Sequence, residues 1–495
     1  MATTTAGPQP ESDRVWSIET HGIDPIPESD RHGRPFELFW IWCAANIGIL
    51  GITYGAFLVT FYGQSLFQGI VGAVVGTIVS FLLVGYISLA GMLGSAPTLI
   101  LSRASFGVIG NAIPTLISYV SLVGWETILV ATATLAAETV LQSLGVGGGT
   151  ATTAIAFVVI AGVTIAIGLM GHATILRIQT WFTWAFAILT VPFMALKWGH
   201  IDFTRVAHLP SSGFAGFLGG VSVIMAGLGI GWVNAGADYS RYLPRSSSRG
   251  GVVWWTTFGA SVAPIVLIVF GVLLAANDPN LASSSNPIGD LAKGLPTWFL
   301  VPYLVTAVGG LVAGALLDIY SSGLNLLTLG VPLPRYQSVA IDGTIMIAGN
   351  IYILFFAKTF FSPFQGFLIT LGVLLSAWSA IFLVDMFLYR RRVGYDEHEL
   401  YSPRGRYGAV NVAGVVALVV AGAVGLGLVT STAAVFRWAG YLIKVFPKGW
   451  QGTIGGSSLG LLIAFVVAGI LYGILAPIFG ERRTAVAGGV PAGAP

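Results

Sequence analysis

Twelve apolar runs, each long enough to cross a bilayer, dominate the sequence. A transmembrane helix needs about 20 mostly apolar residues. The chain is 55% hydrophobic and only 9% charged, whereas soluble domains carry roughly 25% charged residues. We therefore expect an all-α polytopic membrane protein with twelve transmembrane helices. The runs lie at about 36–62, 67–92, 109–141, 151–170, 177–197, 213–236, 252–276, 298–327, 342–361, 364–389, 409–435 and 454–478.

The distribution of basic residues predicts which side of the membrane each helix end faces. With the N-terminus inside, most of the 23 lysines and arginines fall in segments that face the cytoplasm, as the positive-inside rule requires. No secretory signal peptide is expected, because residues 1–35 are polar and lack an apolar stretch. We expect a multi-pass protein of the cell (plasma) membrane. Its tails at 1–34 and 481–495 and its loop at 390–408 are predicted to be cytoplasmic.

The sixth run, 213–236, is interrupted by glycines and an amide side chain. Gly227, Gly229 and Gly231 stand at alternate positions, and Asn234 follows them. Glycine weakens a helix by about 1 kcal/mol relative to alanine. Freed backbone groups persist at membrane depth only where they line a cavity or pack on protein. Two interpretations are open: the helix is broken at a ligand site, or the glycines let neighbouring helices pack closely.

The first run carries a matching interruption, in which Asn46 lies mid-span between Ala45 and Gly48. Interrupted helices at corresponding positions of two halves are the best sequence indication of a transporter binding site. A spacing of five helices predicts two inverted five-helix repeats, and it favours a deliberate break in the sixth run. The predicted parts are a transporter core at 35–389, its repeats at about 35–200 and 210–389, and two additional helices at 409–480.

Two acidic residues lie inside predicted spans, where ionisable side chains are rare and usually functional. Glu126 is about mid-span in the third run, and Asp318 is about mid-span in the eighth. Asp318 shares a helix face with Ser321, Ser322 and Asn325. Either carboxyl group could hydrogen-bond a substrate, carry a proton, or do both. The alternative is that each is a structural partner of a serine, a backbone carbonyl or another helix.

Two tryptophans, Trp125 in the third run and Trp232 in the sixth, lie near mid-membrane, away from the interfaces where tryptophan usually collects. Each follows a glycine, Gly124 and Gly231. Two indoles beside a broken helix can stack on both faces of a flat heteroaromatic ring; the alternative is that both are ordinary core aromatics. Tryptophans near helix ends are expected at the membrane interfaces instead: Trp40, Trp42, Trp181, Trp184, Trp198, Trp254, Trp255 and Trp298.

Composition and motifs argue against several other function classes. The net charge of +3 is small, and the sequence has no phosphate-binding glycine loop, zinc-ligand spacing or catalytic triad pattern. The histidines lie in tails or loops, which argues against an intramembrane enzyme. A channel would need a continuous polar stripe, whereas the polar groups here cluster mid-span. We expect no catalytic residue, no cofactor, no nucleic acid and no obligate protein partner, but a lipid bilayer and a small heterocyclic substrate.

Several short motifs stand in a specific order along nearly the whole chain. They are Glu19 to Glu28, Trp42-Cys43-Ala44-Ala45-Asn46, Gly124-Trp125, Gly231-Trp232, Ala237-Asp238-Tyr239, Tyr320-Ser321 with Leu324, Leu329-Gly330 and Asp342-Gly343. Together they resemble the nucleobase:cation symporter-1 family, in its purine–cytosine permease branch. The resemblance implies a leucine-transporter-like fold of ten helices in two inverted repeats plus two. It also implies cation-coupled uptake of a nucleobase or a related heterocycle.

The resemblance further implies that the substrate lies between an aromatic residue of the third helix and one of the sixth. These positions are Trp125 and Trp232 here. The remaining candidate substrate contacts are Glu126, Asp318, Asn46, Gln179 and Gly231. Fungal members carry polar residues at several positions where this chain has Ala44, Leu129, Gln179 and Gly314-Ala315. Because the polar complement differs, hydantoin, allantoin, a nucleoside or a vitamin ring stays an alternative to cytosine or a purine.

The coupling cation is expected near the first and eighth helices. The candidates, by the resemblance, are Ala45, Gly48, Thr306 and Asp318. Sodium-coupled members of this fold use hydroxyl groups of the eighth helix, whereas Val305, Val308 and Gly309 have none. No metal is expected beyond a candidate sodium site. Two buried acids beside a thin oxygen cage favour H⁺ over Na⁺ as the coupling cation.

The predicted mechanism is alternating access to a site at mid-membrane. The planar substrate enters from outside, stacks between the two indoles and leaves inward after the helices rock. Asp238 and Arg241 follow the sixth run at its cytoplasmic end. We expect these two residues to anchor or gate that end rather than to contact the substrate.

Overall fold

The structure is a computed structural model that describes residues 15–19, 21–284, 286–357, 361–431 and 436–479. All regular secondary structure in these ranges is helical. The helices of the membrane region are α1 (Glu37–Asn46), α2 (Leu50–Thr60), α3 (Leu66–Gly94), α4 (Ala112–Ser143), α5 (Thr150–Met170), α6 (His172–Trp198), α7 (Phe214–Gly227), α8 (Gly229–Trp232), α9 (Arg249–Ala275), α10 (Thr297–Thr328), α11 (Arg335–Phe355), α12 (Phe361–Asp385), α13 (Val412–Leu426) and α14 (Gly460–Phe479). Short helices connect them at Thr98–Leu101, Arg103–Phe106, Phe203–Ala207, Pro287–Ala292 and Lys448–Ser457, with single 3₁₀ turns at Glu28–Asp30, Val233–Ala235, Pro279–Ala282, Glu399–Tyr401 and Ile443–Val445 and a π turn at Met386–Arg390.

Within the described ranges, 10 helices are long and apolar enough to cross a membrane, or 11 when α1 and α2 count as one bent span. The predicted run at 409–435 contains α13, an apolar helix of 15 residues, and its residues 432–435 lie outside the described residues. The tail at 481–495 lies outside them as well. The prediction of a multi-pass membrane protein is therefore confirmed. Eleven of the twelve predicted runs contain a span that is long enough to cross a membrane.

The ninth predicted run begins in the wrong place. Helix α11 begins at Arg335, directly after Pro334, rather than at Asp342. Proline suits the residue before a helix because its missing N–H would have no intrahelical partner there. Asp342 therefore lies two turns inside α11, where it is fully buried.

The first span is broken, and its two halves, α1 and α2, meet at an angle of 57°. The break occupies Ile47 to Ile49 and places Gly48 against Gly310 of α10. A Cβ atom added to Gly310 would lie 2.9 Å from the Cα atom of Gly48. Only glycine fits such an approach, so the broken segment and α10 contact each other backbone to backbone.

The sixth span is broken as predicted, and both interpretations of its glycines hold at different positions. Leu228 separates α7 from α8 with φ −118° and ψ −107°, well outside the helical region. A Cβ atom on Gly229 would lie 2.2 Å from the Ser80 backbone, and one on Gly227 would lie 2.6 Å from the Tyr54 ring. These two glycines permit close packing. Gly231 meets nothing closer than 3.4 Å and faces a cavity.

Two groups of helices pack around the broken spans. Helix α4 packs along α10, while α9 packs along α3, α2 and α1. Helices α7 and α8 lie against α3, and α12, α13 and α14 form a separate cluster at the side. The breaks therefore lie where the α1–α3 and α7–α9 group meets the α4–α10 pair.

Most tryptophans predicted at the membrane interfaces are exposed on the helix surface, and Trp184 and Trp298 are 58% and 69% exposed. Trp42 contradicts that prediction, because it is 0% exposed. Its ring packs edge-on against Trp232 at 5.8 Å and against Tyr239 at 5.7 Å. Trp42 lies one turn before the break in the first span, on the face that α1 turns toward the sixth span.

Candidate binding site

Both helix breaks open onto one cavity. The cavity has a volume of about 50 Å³. The first span contributes Ala45, Asn46, Gly48, Leu50, Gly51 and Tyr54, and the sixth contributes Gly227, Leu228, Gly231 and Trp232. Helix α4 contributes Trp125 and Leu129, α9 contributes Pro264, and α10 contributes Gly310, Leu311 and Asp318. Irregular backbone at membrane depth thus lines a cavity, which is where such backbone is tolerated.

Trp125 and Trp232 approach this cavity from different helices. Each indole is 8% exposed, and each lines the cavity wall. Gly231 lies beside Trp125, because a Cβ atom on Gly231 would lie 3.5 Å from the indole Nε1 atom. The absence of a side chain at Gly231 therefore leaves room for a flat group beside the Trp125 ring. Trp42 supports Trp232 from behind, so the orientation of that ring is set by packing.

Asp318 and Asn46 are the polar side chains predicted for the site that do line the cavity. The Oδ2 atom of Asp318 is buried and has no hydrogen-bond partner among the described residues. The amide nitrogen of Asn46 donates to the carbonyl oxygen of Trp42 at 2.8 Å, which holds the side chain against its own helix. A carboxyl oxygen without a partner can accept a hydrogen bond from the edge of a bound heterocycle.

Three other predicted site residues do not line the cavity. Glu126 is completely buried in α4. Gln179 in α6 donates from Nε2 to the carbonyl oxygen of Ala313 at 2.8 Å. The hydroxyl of Thr306 donates to the carbonyl oxygen of Pro302 in its own helix at 3.1 Å. Of the coupling-ion candidates, Ala45, Gly48 and Asp318 line the cavity and Thr306 does not.

Asn234 follows the cavity-lining part of the sixth span and has a structural contact. Its amide nitrogen donates to the Ser118 hydroxyl at 2.8 Å, and the amide nitrogen of Asn325 donates to the same hydroxyl at 2.6 Å. The sixth span is thereby joined to α4 and α10 just beyond the cavity. This places Asn234 outside the cavity lining, although it is only two residues after Trp232.

The inner end of the helix bundle, meaning the end that carries Asp238 and Arg241 and is predicted to face the cytoplasm, is closed by buried polar contacts. Asp238 accepts hydrogen bonds from the backbone N–H and the hydroxyl of Thr98, at 2.7 and 2.8 Å. The Arg241 guanidinium donates to a carboxyl oxygen of Glu19 at 3.2 Å and to the Gly22 carbonyl at 2.8 Å. Both side chains are thus held by buried hydrogen bonds, and neither lines the cavity; their role in anchoring or gating this end stays a prediction.

Glu19 was not singled out by composition or periodicity. It lies in the polar tail, yet it is only 3% exposed. Its Oε1 atom also accepts hydrogen bonds from Tyr320 and Tyr242. Its Oε2 atom accepts from the backbone N–H of His172 at 2.9 Å and lies 3.6 Å from the Arg335 guanidinium. The family-like motif from Glu19 to Glu28 was the sequence signal that could have identified this residue.

Comparisons with known proteins agree with the fold. Residues 25–450 match the family described as permease for cytosine/purines, uracil, thiamine, allantoin. YxlA of Bacillus subtilis is 26% identical over 475 residues, which cover 92% of this chain and 96% of YxlA. The purine-cytosine permease FCY2 of Saccharomyces cerevisiae is 24% identical over 497 residues, which cover 94% of this chain and 87% of FCY2.

Solved structures show the same fold. Mhp1, a nucleobase-cation-symport-1 family transporter in a closed conformation with bromovinylhydantoin bound, superposes with a TM-score of 0.70 at 18% identity, over 93% of this chain and 97% of Mhp1. A Na⁺-coupled sialic acid symporter in an outward-open state superposes with a TM-score of 0.63 at 13% identity. The superposition covers 92% of this chain and 91% of the symporter. The family match over residues 25–450, most of the chain, shows that the protein belongs to the nucleobase:cation symporter-1 family, whose matching model is described as permease for cytosine/purines, uracil, thiamine, allantoin.

Proposed function

We propose that this protein imports a nucleobase, or a similar planar heterocycle, by symport with a cation. The observation that carries the proposal is the cavity between the two broken spans, which has the indoles of Trp125 and Trp232 in its wall. Interrupted helices that meet at mid-membrane are the arrangement in which transporters of this architecture bind their substrates. Stacking on an aromatic side chain is worth about 1–3 kcal/mol per base.

Substrate selection in this proposal depends on the polar edge of the ring. Asp318 accepts a hydrogen bond from a ring N–H, Asn46 lies across the cavity on the first span, and the backbone of Gly231 approaches the ligand directly. The wall next to Asp318 is apolar one turn earlier along α10, because Leu129 lines the cavity and its Cδ1 atom lies 2.9 Å from where a Cβ atom of Gly314 would be. Because this part of the wall offers no polar side chain to a ring edge, hydantoin, allantoin, a nucleoside or a vitamin ring is the alternative substrate class. Mhp1 has a hydantoin bound.

For the coupling cation we favour H⁺, with Na⁺ as the alternative. A sodium site needs a cage of oxygen ligands. The hydroxyl of Thr306 is directed to its own helix, and Gly48 and Gly310 meet backbone to backbone, so hydroxyl ligands are scarce at this crossing. The sialic acid symporter of the same fold is Na⁺-coupled, which supports the alternative.

In the proposed transport cycle, the protein lies in the cell membrane with both tails in the cytoplasm. The contacts of Glu19 and Arg241 close the inner end while the substrate enters from outside. Release then requires those contacts to separate as the α1–α3 and α7–α9 group rocks against α4 and α10. The substrate crosses unchanged, since transport needs no chemical step.

Uptake of radiolabelled cytosine into cells that lack nucleobase permeases tests the proposal. Unlabelled purines, uracil, hydantoin, allantoin, nucleosides and thiamine serve as competitors, in sodium-containing and sodium-free buffer and with a protonophore. We expect saturable uptake that the protonophore abolishes and sodium leaves unchanged. Uptake that sodium stimulates and the protonophore does not affect would reverse the cation assignment. If neither cytosine nor any compound of the panel, tested in its own labelled form, is taken up, the proposed function is wrong.

A further inference from the structure

Glu126 is a buried acid that the cavity does not use. It directly follows Trp125 in α4, yet it is 0% exposed and does not belong to the cavity wall. Neither of its carboxyl oxygens has a hydrogen-bond partner among the described residues. Adjacent residues of an α-helix point about 100° apart. The Trp125 ring therefore meets the cavity while the Glu126 carboxyl lies behind it, inside the packed helices.

Such a position accommodates the neutral acid rather than the carboxylate. Removing an ionised carboxylate from water is very unfavourable unless a cation or several hydrogen-bond donors replace the water. Among the described residues, the ionisable side chains that act electrostatically on Glu126 include Asp342 in α11, Asp318 in α10 and Tyr119 in α4, and none of these three is a cation. Negative charge on any of these residues disfavours negative charge on Glu126. The surroundings of Glu126 thus favour a bound proton.

Asp342 differs from Glu126 in its hydrogen bonds. It is also fully buried, but its Oδ1 atom accepts a hydrogen bond from the Tyr119 hydroxyl at 2.6 Å. Its Oδ2 atom accepts one from the Ser322 hydroxyl at 2.9 Å. Two donors, one to each oxygen, stabilise the ionised form. Of these two buried acids, Asp342 is therefore the one that carries a negative charge more readily, and carboxyl groups with different environments are a pattern found in proton-transferring sites.

The packing of α4 on α11 gives these groups an order across the membrane. Tyr119 of α4 contacts Asp342 of α11. Eight residues later in α4, Thr127 contacts Gly349 of α11: a Cβ atom added to Gly349 would lie 2.8 Å from the methyl group of Thr127. The two helices therefore run side by side in the same direction. Asp342 lies nearer the inner end than Glu126 by about 10 Å along the helix axis, at 1.5 Å per residue. Asp318 lies at the cavity.

We propose that Glu126 is the site that binds the transported proton, and that Asp342 receives this proton on the cytoplasmic side. The inference rests on the proposed function, namely cation symport of a heterocycle. The carboxylate of Glu126 takes up a proton by way of Asp318 while the cavity is open to the outside. It loses the proton to the carboxylate of Asp342, through water, when the inner end opens. An O–H bond forms on one carboxyl group as one breaks on the other, and no other reactant is needed.

Proteoliposomes that enclose a pH-sensitive dye test this assignment. Purified wild type and Glu126→Gln are compared, because glutamine has the shape of the protonated acid but cannot exchange a proton. Radiolabelled cytosine, or the competitor of the uptake panel that displaces it best, is the transported probe. Glu138→Gln is the matched control, since Glu138 lies on the same helix, is partly exposed and accepts from Gln142. Asp342→Asn is the second variant.

In wild type and Glu138→Gln, we expect addition of the probe to acidify the lumen and an imposed pH gradient to drive uphill accumulation. In Glu126→Gln, the binding affinity should stay within about threefold of wild type and probe exchange should continue, while lumen acidification and uphill accumulation are lost. Asp342→Asn should bind the probe and slow proton release. An infrared carbonyl band of a protonated carboxyl group should be present in wild type and absent in Glu126→Gln, which tests proton binding even if a variant does not transport.

Three results would overturn the assignment. The first is proton-coupled accumulation by Glu126→Gln. The second is loss of probe binding by a folded Glu126→Gln, because Glu126 would then be a substrate contact. The third is sodium-driven, proton-independent transport by wild type, which would leave the proposed function standing. Absence of uptake of every labelled compound by wild type would instead refute the proposed function itself.

Discussion

The hydroxyl of Tyr54 donates a hydrogen bond to the carbonyl oxygen of Gly227 at 3.1 Å. Tyr54 belongs to the outer half of the broken first span, and Gly227 is the last residue of α7 before the break in the sixth. The final carbonyl groups of a helix have no intrahelical partner. This hydrogen bond satisfies one of them at membrane depth, where water is scarce, and it joins the two interrupted helices beside the cavity.

We expect Tyr54→Phe to destabilise the junction of the two broken spans. The variant keeps the ring and removes one donor, so a buried carbonyl loses its partner and the free energy of unfolding should fall by about 1–3 kcal/mol. Thermal denaturation of the purified protein measures the change. Tyr352→Phe is the control, because Tyr352 is 65% exposed. Removing its hydroxyl group should leave the melting temperature unchanged. Equal stability of wild type and Tyr54→Phe would show that the hydrogen bond contributes little.

Trp232→Ala should weaken substrate binding. Loss of about 1–3 kcal/mol of stacking raises Kd roughly 5- to 150-fold. Trp232→Phe retains an aromatic ring and should lose less binding affinity. Comparing the two variants therefore distinguishes the loss of stacking from the loss of the contact with Trp42. Trp184→Ala removes an indole that is 58% exposed on the helix surface and should bind as wild type does. An unchanged Kd or KM for Trp232→Ala in a binding or uptake assay would contradict the stacking role.

Glu19→Gln should loosen the inner end of the bundle. Removing one member of a buried ion pair leaves the Arg241 guanidinium without compensation, at a cost of about 3–5 kcal/mol. Cys43 serves as the reporter, because it is the only cysteine of the chain and is 4% exposed in the inner half of the first span. We expect a membrane-permeant maleimide to label Cys43 faster in Glu19→Gln.

Glu28→Gln is the matched control for that experiment. It makes the same chemical change in the same tail, but the Glu28 side chain is 63% exposed, so labelling of Cys43 should match wild type. Equal labelling rates for Glu19→Gln and Glu28→Gln would mean that the Glu19 contacts do not hold the inner end closed.

The stability of the protein should depend on the ionisation of Asp238. Burial raises the pKa of Asp238 to about 6, although the hydrogen bonds from Thr98 oppose the shift. The folded state therefore holds this proton more tightly than the unfolded state does. The resulting stabilisation, on the order of 2–3 kcal/mol, is complete below about pH 4 and is lost as the pH rises through about 6.

Thermal denaturation between about pH 4 and 7 measures this effect. The melting temperature of wild type should fall as the pH rises across this window, and the melting temperature of Asp238→Asn should fall less. Asp202→Asn is the comparison, because the backbone N–H of Thr204 lowers the pKa of Asp202 in an exposed turn, so its linkage has the opposite sign. Identical pH slopes for wild type and Asp238→Asn would rule out the linkage.

The features that depend on local composition can be predicted from the sequence. The apolar runs locate the spans, since a span needs only length and hydropathy. The glycines and amides of the first and sixth runs locate the breaks, and the structure places both breaks at one cavity. Trp125 and Trp232 were predicted from their mid-span position, and both line that cavity.

The face that each helix turns to the cavity was harder to predict. Glu126 and Trp125 are neighbours in sequence, yet only Trp125 lines the cavity. Gln179 lies in the first third of α6, and its side chain donates to a backbone carbonyl of α10 rather than to the cavity. Trp42 was expected at the membrane interface and is buried against the sixth span instead. Each of these outcomes depends on how a helix is rotated about its axis, which the neighbouring helices determine.

The sequence by itself determined the membrane class, the positions of the spans, the two interruptions and the pair of mid-membrane indoles, because each is a property of a short segment. Only the tertiary structure decided that Glu126 lies behind the cavity, that Asp342 is held by Tyr119 and Ser322, and that Glu19 is buried at the inner end. The physical reason is that these environments are made by side chains from distant parts of the chain. Their burial and hydrogen-bond partners exist only once the helices have packed.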